Sequence, residues 1–313
     1  MLESVLPDMS LPFRAVCHPD IDKIEKRAVE WLAQFAEPRM VAHVARARPG
    51  RIVARTVHFE ASDDLINAYA RFLSWGFWFD DVFIDDVPAD DPTSIPAVCS
   101  ILDILDFRRP SGFAGTQMEA AFTEVVNSLR RVLLPEQWAR WADQMRLWFA
   151  SMVMQNAMRI DGTPPAAAVY RTMRRYSVCS IPCIVLIDAS AGAVVDWNTF
   201  WDADMTVLRL RAAKVVAWHN DVFSYHAERK HPGSFWNLPA IYVAADATPE
   251  EALRRTANEA AEEAAEFVRH RDEISPRMTK AQRVHVQSLE NWMSGCRDWS
   301  LEATARYVGW RES

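Results

Sequence analysis

Four aspartates interrupt a strongly apolar, aromatic segment, FWFDDVFIDD at residues 77–86. Asp81 and Asp85 are four residues apart, so on a helix they project from one side, with Asp80 beside them. Clustered carboxylates repel one another unless a cation neutralises them, and oxygen ligands suit Mg²⁺. The segment therefore indicates a magnesium site, with a solvated acidic helix end as the alternative.

A second polar set lies in WHNDVFSYHAE at residues 218–228. Asn220, Ser224 and Glu228 follow one another at intervals of four, which turns each by only about 40° from the last on a helix. An amide oxygen, a hydroxyl and a carboxylate on one helix face can chelate a second hard cation. The alternative is a structural polar stripe on a helix.

The two motifs, DDVFID and NDVFSYHAE, are about 140 residues apart, and together they resemble those of a bacterial class I terpene cyclase. In that family an arginine that contacts diphosphate precedes the second motif by some forty-five residues, a distance that Arg174 and Arg175 match. The family also carries an Arg-Tyr pair near the C-terminus, where this chain has Arg306 and Tyr307. All four elements occur in the family's order.

The resemblance implies a reaction in which three Mg²⁺ ions and a few cationic donors bind a linear isoprenyl diphosphate and withdraw the diphosphate as a leaving group. The implied metal ligands are Asp80, Asp81, Asp85, Asn220, Ser224 and Glu228. The implied diphosphate-binding residues are Arg174, Arg175, Lys230, Arg306 and Tyr307, and the implied catalytic residues are Asp80, Arg175, Arg306 and Tyr307.

Two features depart from the family pattern. The first motif is DDxxxD rather than the commoner DDxxD, which leaves open which aspartate bridges the ions. Relatives often carry lysine before the glutamate of the second motif, where this chain has Ala227. Arg229 or Lys230 could supply the missing cation, or the diphosphate could be held by one donor fewer. On a continuous helix Lys230 lies within about 60° of position 227 and Arg229 about 200° from it, so Lys230 is the better substitute.

The carbocation left by ionisation requires an apolar cavity with aromatic walls. Its expected lining residues lie near the motifs, and core packing is the alternative for each: Phe77, Trp78, Phe79, Phe83 and Trp310. The substrate is expected to be the C15 farnesyl diphosphate, giving a sesquiterpene. A diterpene cyclase acting on C20 geranylgeranyl diphosphate is the second interpretation.

The elements that must position these residues are predicted to be helices. Only 9 glycines occur in 313 residues, whereas sheet folds use glycine in turns and phosphate loops. We expect one all-α domain over residues 1–313, a class I terpenoid synthase bundle around a central active-site cavity, with residues 1 to about 20 as a mobile or covering segment. Apolar periodicity predicts helices over 21–36, 62–84, 94–106, 116–131, 135–159, 166–191, 198–228, 249–270 and 280–309.

Composition and motifs also exclude several classes. A net charge of −7 argues against nucleic acid as a partner, and the interrupted apolar stretch 176–195 argues against a membrane span. No signal peptide is evident, and five scattered cysteines suit the cytoplasm; Cys179 and Cys183 are interpreted as core packing. A homodimer is left open.

Other helical functions fit the motifs less well. A chain-elongating prenyltransferase would carry a second DDxxD, and a proton-initiated cyclase would carry DxDD, but neither motif is present. A di-iron bundle needs more than the one Glu-x-x-His, which Glu228 and His231 form. A non-catalytic helical binding protein remains as an alternative.

Overall fold

The computed structural model describes residues 6–85, 87–160, 162–192, 194–229 and 235–307. These residues form α-helices and contain no strand, as the sequence predicts. The α-helices, numbered in chain order, are α1 Ile21–Leu32, α2 Pro38–Ala45, α3 Pro49–Ala54, α4 Asp63–Asp80, α5 Ser94–Leu105, α6 Thr116–Val132, α7 Pro135–Ala157, α8 Ala167–Ser177, α9 Ser180–Ser190, α10 Trp197–Trp201, α11 Ala203–Glu228, α12 Leu238–Ala244, α13 Pro249–Ile274 and α14 Lys280–Asp298.

Three shorter turns continue these helices. A π-helical turn, Asp81–Asp85, follows α4, and a second, Trp299–Ala303, follows α14. A 3₁₀ turn, Ser275–Arg277, follows α13. A π-helical turn takes in one residue more than an α-helical turn, so the first one accommodates the additional residue of the DDxxxD motif.

Local side-chain chemistry sets several helix starts. Thr248 accepts a hydrogen bond from the backbone N–H of Glu251, and the Glu251 carboxylate accepts one from the backbone N–H of Thr248. This capping box satisfies two N–H groups at the start of α13, where Pro249 occupies the first helical position. The predicted start of this helix is confirmed.

The bundle is arranged around α11, which is buried along most of its length. It packs against α8, α9, α12, α13 and α14. On the other side of the molecule α4 packs against α1, α3 and α6, and its aromatic side chains join the main hydrophobic core. None of the described helices combines the length and apolar character needed to cross a membrane.

The single helix predicted over 166–191 is wrong, because the chain breaks between α8 and α9. Cys179 adopts a left-handed backbone conformation with φ 59° at this break. The physical reason is Pro182: in a continuous helix its ring would clash with the carbonyl of Val178 four residues earlier, and it has no N–H to donate. The proline signal was therefore present in the sequence.

Other differences concern short elements. The periodicity did not predict α2, α3 or α12, which have only eight, six and seven residues. Such short helices depend on tertiary contacts because isolated helices of this length are unstable in water. The predicted helix 280–309 ends earlier, and the chain after it is held to α2 by a backbone hydrogen bond of 2.8 Å from Ala305 to Arg46.

Candidate active site

A cavity of about 320 Å³ lies inside the bundle and is lined by both α4 and α11. Its walls come from α4, α7, α8, α11 and α14, together with the α8–α9 break, the α2–α3 region and the segment after α14. The cavity therefore lies where both predicted metal motifs and the Arg-Tyr pair can reach it. Its size falls within the range of small-molecule sites in proteins.

One face of α4 changes from apolar to acidic along the cavity wall. Phe72 and Leu73 lie two turns before the aspartates, Gly76 lies one turn before them, and Asp80 and Asp81 follow. These positions recur at helical spacing, so they share one face. The apolar end of the cavity and its charged rim are thus built by one continuous helix.

Asp81 is nearly inaccessible to solvent, with 2% of its surface exposed, and its carboxylate has two side-chain partners, Arg306 and His43. Arg306 donates from both terminal nitrogens to the two carboxylate oxygens, one bond measuring 3.0 Å, and His43 Nε2 lies 3.2 Å from Oδ2. Burial by itself would raise the pKa of Asp81, but Arg306 and His43 hold it below its ordinary value. Asp81 is therefore an ionised carboxylate.

Asn220, Ser224 and Glu228 all line the cavity from successive turns of α11. The Asn220 amide donates to the Tyr307 hydroxyl at 2.7 Å, and Glu228 Oε2 accepts from the Asn237 amide at 2.6 Å. The Ser224 hydroxyl is buried and has no hydrogen-bond partner within the described part of the chain. These three oxygen-bearing groups lie together, as their spacing predicts.

Arg174 reaches the cavity from the last turn of α8 and is anchored to α11. Its Nε donates to Asp221 Oδ1 at 2.9 Å, one terminal nitrogen donates to the Asn220 oxygen, and the other lies 3.3 Å from the Ser177 hydroxyl. Burial alone would lower the pKa of Arg174, but neighbouring groups, among them Asp221, raise it above its ordinary value. Arg174 is a buried permanent cation at the cavity wall.

Comparison with known proteins identifies the family of this chain. Residues 71–266 match the family model described as terpene synthase family 2, C-terminal metal binding. The (+)-corvol ether B synthase/(+)-corvol ether A synthase of Kitasatospora setae, named as (2E,6E)-farnesyl diphosphate cyclizing, is 30% identical over 307 residues, which cover 97% of this chain and 95% of that protein. The chain belongs to the terpene synthase family.

Further relatives and solved structures agree with this family and fold. A sesquiterpene synthase of Metarhizium brunneum is 29% identical over 306 residues, covering 97% of this synthase and 89% of the relative. The crystal structure of 2-methylisoborneol synthase from Streptomyces coelicolor, in complex with Mg²⁺ and 2-fluoroneryl diphosphate, superposes with a TM-score of 0.86 at 18% identity, covering 96% of this chain and 98% of that one. The predicted terpene synthase family and all-α class I fold are confirmed.

The remaining predicted polar residues lie in different places. Arg175 is not among the cavity-lining residues of this synthase; its guanidinium lies over the Tyr176 ring, 5.1 Å from its centroid. Of the two neighbouring arginines, Arg174 is therefore the one at the cavity.

Two further predicted residues cannot be placed against the cavity. Asp85 ends the π-helical turn, but its side chain is not among those that the structure describes. Lys230 falls outside the described residues, and α11 ends at Glu228.

Of the five aromatic residues predicted to line the cavity, one does so, three lie outside the lining and one falls outside the described residues. Phe77 lines the cavity and packs beneath the Arg306 guanidinium, 5.3 Å from the ring centroid. Phe79 and Phe83 instead lie in the core, where Phe79 packs on Phe149 at 5.6 Å, because their helical positions turn them away from the cavity. Trp78 also lies outside the lining, and Trp310 falls outside the described residues.

Residues far from the motifs supply most of the lining, and the sequence analysis did not predict them. Cys179 and Cys183 pack with the hydrophobic core, as interpreted from the sequence, and they also line the cavity. They are joined by a third thiol, Cys296 of α14. Phe72 and His219 line the cavity from the two helices that carry the motifs. Other lining residues come from distant parts of the chain and were not signalled by any motif: Trp148, Met152, Gln155, Phe235, Trp292 and Trp299.

The oxygen side chains at the rim fit a hard divalent cation. The unpartnered Ser224 hydroxyl lies one turn from both Asn220 and Glu228, so the three can offer an amide, a hydroxyl and a carboxylate oxygen. No three His, Cys, Asp or Glu side chains of the described residues form a metal site by themselves. An ion at this rim therefore needs the amide and hydroxyl oxygens, or oxygens of a bound ligand.

Proposed function

We propose that this synthase is a Mg²⁺-dependent cyclase that ionises farnesyl diphosphate and cyclises the resulting carbocation to a sesquiterpene. The observation that supports this most directly is the arrangement of the cavity. Carboxylate, amide and hydroxyl oxygens meet the buried Arg174 and the partly buried Arg306 at its rim, and apolar and aromatic side chains form much of the remaining wall. Diphosphate and Mg²⁺ suit such a rim, and a hydrocarbon chain suits the interior.

The metal ligands would be Asp80 and Asp81, with Asp85 as their motif partner, on one side and Asn220, Ser224 and Glu228 on the other. Three bound Mg²⁺ ions would supply Lewis-acid stabilisation of the negative charge on the leaving group. In this structure Asp81 pairs with Arg306, and Asn220 pairs with Tyr307, so two of the predicted metal ligands each contact a predicted diphosphate donor. Substrate binding would exchange these internal bonds for bonds to the diphosphate.

The chain's own donors act on the leaving group. As the carbon–oxygen bond breaks, its electron pair leaves with the diphosphate, and Arg174 and Arg306 donate hydrogen bonds to the diphosphate oxygens. Tyr307 donates a third bond; a tyrosine hydroxyl is protonated at neutral pH, and burial raises its pKa further above the ordinary value. Preorganised donors of this kind are needed in addition to the metal because a diphosphate carries several negative charges.

The apolar interior protects the carbocation. Phe77, Trp148 and Trp299 are among the residues that line the cavity, and aromatic rings in such a wall would stabilise positive charge and exclude water. The named (2E,6E)-farnesyl diphosphate cyclizing relative favours a C15 substrate over the C20 alternative.

The decisive experiment incubates purified protein with Mg²⁺ and C10, C15, C20 or C25 isoprenyl diphosphate and analyses hexane extracts by gas chromatography and mass spectrometry. We expect cyclic C15 hydrocarbons or alcohols with the C15 substrate and none when EDTA is added. Cyclic products from the C20 substrate alone would replace the sesquiterpene assignment with the diterpene one. No product from any substrate would favour a binding protein and contradict the proposal.

A further inference from the structure

Gly76 lies in the fourth turn of α4, in the middle of the helix and in the wall of the cavity. A glycine inside a helix costs about 1 kcal/mol relative to alanine, because glycine loses more backbone freedom when it is ordered. Its backbone is ordinary helix, so the left-handed conformations that favour glycine do not explain it. The position therefore needs another reason for carrying no side chain.

Close packing is the usual reason, and it applies to other glycines of this chain. A Cβ atom added at Gly50 would come within 2.6 Å of the Glu25 backbone, and one at Gly295 would come within 2.3 Å of the Arg55 carbonyl oxygen. At Gly76 a Cβ atom would meet nothing within 4 Å. Because Gly76 also lines the cavity, the open space beside it is the cavity itself.

The position of this space relative to the charged rim decides which part of a ligand would fill it. Gly76 precedes Asp80 by one helical turn, so it lies about 6 Å further along the wall toward the apolar end. Phe72 and Leu73 form the next turn beyond it. A ligand whose diphosphate sits at the rim would thus place hydrocarbon carbons against Gly76.

We propose that Gly76 is a specificity-determining residue: by carrying no side chain, it provides the cavity space in which the isoprenyl chain folds, and so sets the length of chain that can cyclise. This inference rests on the proposed function. A side chain at position 76 would project into the cavity without disturbing the helix packing. Its effect should therefore appear in substrate choice and products, and not in folding.

The test compares wild type, Gly76→Ala and Gly76→Leu with C10 and C15 diphosphates under identical Mg²⁺ conditions. We expect both variants to have a Tm equal to or above that of wild type, because the helix gains propensity and no backbone contact is strained. The C10 substrate serves as the internal control, since its shorter chain needs less of the space beside position 76.

For Gly76→Leu we expect the ratio of C15 to C10 turnover to fall about tenfold or more, as forcing atoms into filled space is unfavourable. For Gly76→Ala we expect retained C15 turnover with a changed ratio of cyclic products. An unchanged substrate ratio and an unchanged product profile in both folded variants would overturn the inference. If wild type turned over no diphosphate at all, the proposed function would fail first, and the role of Gly76 with it.

Discussion

Arg306 and Asp81 form a two-pronged ion pair across the cavity rim, although they are 225 residues apart in the chain. The pair joins the end of α4 to the segment after α14, and it brings together a predicted diphosphate donor and a predicted metal ligand. The two groups neutralise each other in this structure. Arg306 can bind the diphosphate, and Asp81 can bind a metal ion, only after this ion pair breaks.

We predict that Arg306→Met lowers turnover by about a hundredfold, the usual effect of removing one preorganised donor to a developing anion. It should also lower the free energy of unfolding by about 3 kcal/mol, because Asp81 would remain buried with a weaker partner. Steady-state rates and urea unfolding check the two effects. Arg55→Met is the matched control, since Arg55 pairs with the exposed Glu302 outside the lining and should change neither quantity strongly.

Glu228→Gln tests the second metal motif. Glutamine can still accept the bond from Asn237, so the fold should be retained, but the charge that would attract Mg²⁺ is lost. We expect turnover to fall by about a hundredfold or more, because a bound metal supplies several kcal/mol of charge stabilisation. Helical circular dichroism should not change. Glu262→Gln on the exposed face of α13 is the control, and wild-type rates and Mg²⁺ dependence in Glu228→Gln would contradict the assignment.

Asp221 is predicted to position Arg174. Its carboxylate is fully buried and accepts bonds from Arg174, from the Tyr170 hydroxyl at 2.8 Å and from the Leu238 backbone N–H at 3.0 Å. Asp221→Asn removes the charge beside a buried guanidinium, so we expect the free energy of unfolding to fall by about 2 kcal/mol.

The same variant should lower kcat more than it raises KM, because Arg174 would lose its fixed orientation toward the leaving group. Asp221→Glu keeps the charge and should recover part of kcat. Equal loss of kcat in the two variants, with unchanged KM and stability, would show that Asp221 does not act through Arg174.

Cys179 provides a test of the helix break. A residue other than glycine in the left-handed region costs roughly 1 kcal/mol, and Cys179 has φ 59°. We therefore expect Cys179→Gly to unfold with a free energy about 1 kcal/mol higher than Cys179→Ala. The alanine variant removes the thiol but keeps the strain, so comparing the two isolates the backbone effect. Equal stabilities would mean that the break carries no strain.

His219 predicts how stability depends on pH. Burial, aided by the charge of Arg297, lowers its pKa from 6.5 to about 3, so the folded protein holds this ring neutral. The unfolded chain binds a proton below pH 6.5 while the folded chain does not until about pH 3, and stability must therefore fall as the pH drops through this window. From this group alone we expect a loss of about 3 kcal/mol between pH 7.5 and pH 4.5.

Urea unfolding at these two pH values, for wild type and His219→Gln, measures that contribution, because other titrating groups largely cancel in the difference. The loss on acidification should be clearly smaller in the variant. A variant whose stability depends on pH as steeply as wild type would mean that His219 is protonated in the folded state.

Part of the site follows from sequence spacing alone. Asn220, Ser224 and Glu228 recur every four residues, and the fixed geometry of a helix then requires them to share a face. The apolar periodicity of the long helices also acts locally, and it predicted the start of α13 at Pro249, where the structure shows a capping box made by the adjacent Thr248. The terpene synthase family followed from the same motifs.

The tertiary structure decided what depends on residues that are distant in sequence. Whether Arg174 or Arg175 reaches the cavity depends on how α8 packs against α11, since adjacent residues on a helix point about 100° apart. Phe77 and Phe79 are both phenylalanines, and Phe79 is the nearer to the motif, yet packing places Phe77 in the cavity wall and Phe79 in the core.

The same distinction explains the cavity as a whole. Its lining comes from helices spread over the chain. No local sequence pattern predicts which apolar helix face will line the cavity and which will pack against another helix. Burial and apolar character are the same in both cases, so the sequence signal is the same. The sequence by itself determined the all-helical class, most of the long helices, the motifs and the family. Only the packing of the helices decided which side chains share the site and where the short helices form, because packing depends on contacts between distant residues.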